Sequence, residues 1–189
     1  VVVRSFRKYE GWLTRVRQPL GQELLAVLPR VRAVSRVGVG VDNVDVPAAT
    51  RAGVTVCNTP GVLDAAVAEL TIGMVIAVGR QFSAGERFVR SGEWMHRSPP
   101  MSHDVHGKTL GVLGLGRIGS RVAGLGRALG MGVVYHAPVR RQDAEACGTA
   151  SYLEWGEFFA ESDFISLHLP LTAQTRHLVG EREFALMKP

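Results

Sequence analysis

The chain has 189 residues, 46% of them hydrophobic, with 22 glycines and a formal net charge of +5. That is enough apolar material to bury a core in one large or two small domains, and it excludes a disordered chain. The basic surplus runs from Arg4 to Arg182 and is interleaved with Asp and Glu, so it reads as a solvated surface or, alternatively, as an aid to attracting an anionic cofactor, with no clustered footprint for nucleic acid. Two cysteines, Cys57 and Cys147, offer no disulfide framework and fit reduced thiols in a cytoplasmic protein. The apolar stretch 62–78 is interrupted by Asp64 and Glu69, which predicts a buried helix and not a membrane span, and no signal peptide precedes it.

Residues 1–4 read as a short buried strand, followed by a polar, arginine-rich stretch and a helix over 20–28 closed by Pro29. The next strand covers 31–39 and ends in the turn Gly38-Val39-Gly40-Val41-Asp42-Asn43. A short helix over 47–52 is stopped by Gly53, and 54–57 forms a third strand. Strands alternating with helices imply an open α/β sheet whose ligands gather where strand carboxyl ends meet the following loops. That rim would hold Arg4-Ser5, Gly38 to Asp42 and Asn58-Thr59-Pro60.

From 64 to 78, Val67, Leu70, Met74, Val75 and Val78 recur at helical spacing, with Asp64 placed as an N-cap, so a long connecting helix is expected. A second helix over 84–90 leads into a loop over 92–107 that carries Trp94, Pro99, Pro100 and three histidines. His103 and His106 lack a third ligand and read as surface residues, so no metal site is expected.

Residues 108–113 form an apolar strand that runs into Gly114-Leu115-Gly116-Arg117-Ile118-Gly119. In the helix behind this turn, Ile118, Val122, Leu125 and Leu129 recur at i, i+4, i+7 and i+11, one stripe able to pack on a sheet. Gly130 ends that helix, 132–136 is the next strand, 154–160 a helix, and 164–169 a strand ended by Pro170.

A glycine pattern of this spacing after a strand and at the head of an amphipathic helix is the fingerprint of dinucleotide binding. Gly114 permits the tight turn, Gly116 lets the backbone approach a pyrophosphate, Gly119 allows helix and strand to pack closely, and the phosphate sits at the helix N-terminus with Arg117 and Ile118 lining the turn. An acid at the end of the second strand would take the ribose hydroxyls of NAD; that position holds His136, with Arg140 and Arg141 just downstream. The missing carboxylate and the two arginines lean toward NADP over NAD, although a histidine can also serve an unphosphorylated ribose.

Five segments in order, SRVGVGVDNVDVPAATRAGVTVCNTPG (35–61), AAVAELTIGM (65–74), HGKTLGVLGLGRIG (106–119), GMGVVYHA (130–137) and SDFISLHLPLTAQTRHL (162–178), resemble the D-isomer-specific 2-hydroxyacid dehydrogenases. The resemblance implies a Rossmann-type doubly wound parallel sheet over 64–189 and part of a smaller flavodoxin-like substrate domain over 1–63. It implies an NAD(P)-dependent oxidoreductase that interconverts a small 2-oxo acid and the D-2-hydroxy acid, acting as a homodimer through the helix that begins at Asp64.

Through the same resemblance, the amides of Val39 and Gly40 would hold the substrate carboxylate, as bare amides suit an anion. Thr59 matches a position near the nicotinamide, and Leu169 with Pro170 matches the wall of the cofactor cleft. Arg36 looks like the arginine that phosphoglycerate dehydrogenases place near the substrate phosphate. Gly61-Val62-Leu63-Asp64 and Val134-Tyr135-His136-Ala137 look more like the glyoxylate and hydroxypyruvate reductases, which are favoured. The family's catalytic arginine, in an Asn-x-x-Arg-Gly motif, and its Glu and His pair match nothing here, and His168 and His177 fall on non-catalytic positions. The resemblance therefore suggests a chain cut at both ends and without turnover. A nucleotide-sensing binding protein, akin to the corepressors of the same family, and a natural short product that binds cofactor are the alternatives.

Overall fold

The computed structural model describes residues 10–14 and 19–189; the strand expected over 1–4, with Arg4-Ser5 at its end, lies outside them. The chain divides into two compact units, Val1–Leu63 with Pro170–Arg176, and Asp64–Leu169 with His177–Pro189. The segment 170–176, expected in the nucleotide unit, thus groups with the first.

In the first unit β1 (Gly11–Thr14), β2 (Ala33–Arg36) and β3 (Thr55–Cys57) form a parallel sheet in the order β1-β2-β3. Strand β1 falls in the stretch read as polar: Trp12 and Thr14 are half-buried while Gly11 and Leu13 are exposed, an alternation too short to stand out among arginines. Helices α1 (Gln22–Ala26) and α2 (Val46–Arg51) supply the connections. The Asp45 carboxylate caps α2 by accepting from the Ala48 amide at 2.9 Å, and Pro47 lies in the first turn, where a missing N–H costs nothing. Leu25, Leu28, Val31, Val34, Ala49 and Val54 make the core. Strand β2 is shorter than the expected 31–39. The Val37 amide still donates to the Thr14 carbonyl at 2.9 Å, but the next amide, of Gly38, turns to a side chain instead of the ladder.

The second unit opens with α3 (Asp64–Gly79) and α4 (Phe82–Arg90), then a short 3-10 turn at Glu93–Met95 within the expected loop. Four parallel strands follow: β4 (Thr109–Leu113), β5 (Gly132–His136), β6 (Ser151–Tyr152) and β7 (Phe164–Leu167), in the spatial order β6-β5-β4-β7. Helices α5 (Arg117–Ala128), α6 (Gln142–Ala146), α7 (Trp155–Glu161) and α8 (Glu181–Leu186) complete the unit. One face of the sheet packs through Leu110, Val112 and Val133 against Val122 and Ala123 of α5 and Ala68, Ile72 and Val75 of α3. The other side gathers Leu113, Phe158 and Phe159 with Trp155 and Ile165. A parallel sheet covered on both faces is the doubly wound arrangement.

The stripe expected of α5 holds in the main, with Val122 buried and Ile118 and Leu129 packed on the same core, whereas α3 buries a face largely different from the one expected. In α5 the buried residues are Gly119, Val122, Ala123 and Gly126, and Leu125 faces outward. Small residues bring the helix close to the sheet, and a Cβ at Gly126 would already press on Leu110. In α3 the buried side is Asp64, Ala68, Ile72, Val75 and Gly79, while Leu70, Met74 and Val78 are 65%, 59% and 68% exposed. That helix is apolar all round, so its periodicity cannot choose a face. Among the described residues no single helix is long and apolar enough to cross a membrane; α3 and α4 together pass by length and composition but are bent by 58°.

Candidate functional site

The Gly-rich turn leaves β4 between its two neighbours. The Gly114 amide donates to the His136 carbonyl at the end of β5 (2.9 Å), and the His168 amide donates to the Leu113 carbonyl (2.8 Å). In chain order the four strands run third, second, first, fourth across the sheet, so the winding reverses between β4 and β7. Open parallel sheets bind ligands at the carboxyl ends flanking such a reversal. Gly114 sits there with φ of +95°, and a Cβ on it would lie 2.8 Å from the His168 carbonyl oxygen and 2.7 Å from Leu169 Cδ2. A Cβ on Gly119 would overlap the Gly114 carbonyl oxygen. These two glycines are required by the protein's own packing. Gly116 differs: a Cβ there would meet nothing within 4 Å, so the space over it is open. The amides that head the 12-residue α5 have no side-chain cap at Gly116, which suits an anion.

Arg117 is tied sideways. Its Nε donates to Asp64 Oδ2 at 2.8 Å; the Asp64 carboxylate is 2% exposed and the Arg117 side chain 70%. Asp64 is therefore the first residue of α3 and the anchor of α5, and not the N-cap expected of it. Its burial is stabilised by this charge-assisted bond. Ile118 is partly buried against the core behind the turn.

At the end of β5 the His136 ring turns to the side of α7. Its Nδ1 lies 2.9 Å from the Leu153 carbonyl oxygen, so Nδ1 carries the proton, and the ring packs among Tyr152, Trp155 and Phe158 at 5.2–6.4 Å between centroids. The next residue, Ala137, packs with the cluster that holds Leu115 and Ile118. Neither residue at this strand end, His136 or Ala137, carries a carboxylate. Arg141 does reach the turn: its Nη1 donates to the Leu115 carbonyl at 3.0 Å, while Nε and Nη2 hold the Asp143 carboxylate at 3.0 and 2.9 Å. Arg140 pairs with Glu145 and lies 4.7 Å above the Tyr152 ring.

Sequence reasoning passed over Tyr135, Asp143 and Glu145, which organise this loop. The buried Tyr135 hydroxyl accepts from the Arg141 amide at 2.6 Å and donates to Glu145 Oε1 at 2.7 Å. Burial pushes the Tyr135 phenol up, Arg141 holds the Asp143 carboxyl below its usual range, and Arg140, then Tyr135, does the same for Glu145. Acids two and four residues after an arginine pair were the available signal. Leu169 packs on Gly114, whereas Pro170 belongs to the segment grouped with the first unit. His168 is partly buried with Nε2 2.9 Å from Ser166 Oγ, and burial lowers its pKa.

In the first unit the loop after β2 is pinned by three side chains. Thr59 Oγ1 accepts from the Gly38 amide at 2.9 Å, and the Thr59 amide donates to the Gly38 carbonyl at 3.0 Å. Asn58 Nδ2 donates to the Val39 carbonyl at 2.9 Å. Arg36 folds back over its own loop, with Nε on Asn43 Oδ1 at 3.1 Å and Nη1 on the Val37 carbonyl at 2.7 Å. Among the described residues no acceptor pairs with the amides of Val39 and Gly40, and no carboxylate pairs with Arg36. Two adjacent amides without a protein acceptor and a cation held by neutral oxygens share this loop with the Asp42 carboxylate, which lies beside Gly40. None of the described residues group into a metal site, and His103 and His106 are no exception.

A glycine turn at the reversal point of a doubly wound parallel sheet defines a dinucleotide-binding unit. Residues 72–189 match the model of the D-isomer specific 2-hydroxyacid dehydrogenase, NAD binding domain. The chain belongs to the D-isomer specific 2-hydroxyacid dehydrogenase family. It is 44% identical over 188 residues to a glyoxylate reductase of Aeropyrum pernix, covering 96% of this chain and 56% of that protein, and 39% identical to one of Thermococcus litoralis, covering 100% and 59%. A crystal structure of Aquifex aeolicus D-lactate dehydrogenase complexed with NAD and lactic acid superposes with a TM-score of 0.90 at 34% identity, covering 100% of this chain and 56% of that one. A glyoxylate reductase from Paecilomyes thermophila gives 0.86 at 36%, covering 98% and 58%. The chain thus spans under two thirds of the length of these relatives.

Proposed function

We propose that this chain carries the cofactor cradle and the substrate-carboxylate loop of an NAD(P)-dependent dehydrogenase that reduces a small 2-oxo acid to the D-2-hydroxy acid, with glyoxylate or hydroxypyruvate favoured. The observation that carries the proposal is the Gly114–Gly119 turn at the winding reversal, in a chain whose relatives include named glyoxylate reductases. The turn would seat the pyrophosphate at the head of α5, with Arg117 and Ile118 along it and Leu169 beside Gly114. When bound, the cofactor would supply or receive the hydride at the substrate's C2. The open amides of Val39 and Gly40 would bind the carboxylate, the group common to every 2-oxo acid.

NADP is favoured over NAD, because neither His136 nor Ala137 presents a carboxylate and because Arg140 and Arg141 follow. The exposed apolar residues Leu70, Met74 and Val78 on α3 and Phe82 on α4 support a homodimer through these helices. The two exposed free thiols, Cys57 and Cys147, suit a reducing cytoplasm. A second reading, phosphoglycerate dehydrogenase, rests on Arg36, a cation without a carboxylate partner among the described residues that could take a substrate phosphate. The 189 residues include neither the family's Asn-x-x-Arg-Gly motif nor a match to its Glu and His pair. A polypeptide of these residues alone is therefore expected to bind cofactor without turnover.

Assay of glyoxylate, hydroxypyruvate and phosphohydroxypyruvate in a protein of the relatives' full length carrying this segment tests the substrate order. The two unphosphorylated acids are expected to give the higher kcat/KM; a clear preference for phosphohydroxypyruvate would reverse the order. NADPH oxidation with glyoxylate by the purified 189-residue polypeptide would refute the expected lack of turnover.

A further inference from the structure

The two arginines after β5 are built differently. Arg140, itself 59% exposed, is engaged by fixed groups: it pairs with Glu145, whose side chain is 24% exposed and whose Oε1 also receives the buried Tyr135 hydroxyl, and it lies on the Tyr152 ring. Moving Arg140 would break its contacts with both Glu145 and Tyr152. Arg141 faces the Gly-rich turn with one nitrogen on the Leu115 carbonyl, and its other edge holds Asp143, whose side chain is 69% exposed. Its backbone amide is fixed by Tyr135, so the residue stays at the turn even when its carboxylate partner leaves. Asp143 engages the guanidinium with two bonds, but it does so at the surface, where solvent screens the pair, and a phosphate dianion offers the same fork more charge.

We propose that Arg141 is the specificity-determining residue for a cofactor 2′-phosphate, that Asp143 is its exchangeable counter-ion, and that Arg140 is a structural strut. The proposal deepens the NADP reading and rests on it. A phosphate arriving beside Leu115 takes over the fork on Arg141 that Asp143 holds, while the bond from Nη1 to the Leu115 carbonyl keeps the guanidinium aimed. Asp143 then acts as a competitor built into the chain. It lowers the affinity for the phosphorylated cofactor and leaves that for the unphosphorylated one unchanged, so it sets the ratio between the two. Glu145, held by Tyr135 and Arg140, does not exchange.

The test is titration of the 189-residue chain and three variants with NADPH and with NADH, read by calorimetry, with thermal unfolding alongside. Asp143→Asn is expected to tighten NADPH by roughly two- to fivefold, the scale of one exposed ion pair, with NADH unchanged. Arg141→Gln is expected to weaken NADPH on the order of tenfold or more, the scale of a charge-assisted contact, again with little change for NADH. Arg140→Gln should lower the unfolding midpoint while leaving the NADPH to NADH ratio as in the parent. A ratio unmoved by Asp143→Asn, or moved equally by Arg140→Gln and Arg141→Gln, overturns the proposal. If the parent chain binds NADH as tightly as NADPH, the NADP reading itself fails, which is a separate outcome.

Discussion

The Gly-rich turn and the loop after β2, the two stretches we propose as anion sites, are held by different means. The turn at 114–119 is shaped by backbone against backbone: Gly114 is pressed on the His168 carbonyl and Gly119 on Gly114 itself. The loop at 36–40 is held by side chains, with Thr59, Asn58 and Arg36 each bonding a main-chain or amide oxygen or a backbone N–H. A site made of packed backbone tolerates no added atom, whereas a site made of polar pins fails when a donor or acceptor is removed. The first is therefore broken by the smallest insertion and the second by the smallest deletion.

The largest effect should come from Gly119→Ala. The added methyl meets a backbone oxygen that no side-chain rotation can clear, so we expect a loss of about 1–3 kcal/mol, the usual scale of overpacking. Urea unfolding of parent and variant would measure it, and the same change at Gly116, where the space is open, should cost far less. An equal loss at both positions would erase the distinction between packed and open glycines.

Next comes Thr59→Val, which keeps the shape and removes the hydroxyl that receives the Gly38 amide. A half-buried amide left without its partner should cost about 1 kcal/mol, seen as faster hydrogen exchange at Gly38. Thr59→Ser should restore most of it. Full protection in the valine variant would show that the loop does not depend on this pin.

The smallest effect is a pH dependence from His168. Burial lowers its pKa below the ordinary 6.5, so the unfolded chain binds this proton more readily than the folded one. Stability from this group is complete above about pH 6.5 and is lost as the pH falls from there through the folded value. His168→Gln should flatten that slope in unfolding scans between pH 7.5 and 5. An unchanged slope would assign the acid sensitivity to other groups.

The same contrast explains what the sequence disclosed. The packed turn was legible because glycine spacing records a steric demand directly, and the strands and helix around it follow the expected rhythm. The face of α3 was not, since Leu70 and Met74 satisfy a helical period as well as Ala68 and Ile72 do, and only the neighbour decides which side is covered. Asp64 looked like a cap because it opens a helix; that its carboxylate meets Arg117, 53 residues later, is tertiary information. His136 marks the strand end correctly, but strand alternation sends its ring to the α7 side and leaves Ala137 on the turn side. The short α6 and β6 carried too few residues for a period to show, and with them went Asp143 and Glu145.

The central claim is that the turn at 114–119 seats a dinucleotide through its packed glycines. Calorimetric titration of NADPH into the parent chain and into Gly119→Ala, each confirmed folded by circular dichroism, tests it directly. Saturable one-to-one binding by the parent, with affinity at least tenfold weaker in the variant, about 1.4 kcal/mol, is the result this structure predicts. A folded parent that binds no dinucleotide, or a folded variant that binds as tightly as the parent, would contradict it.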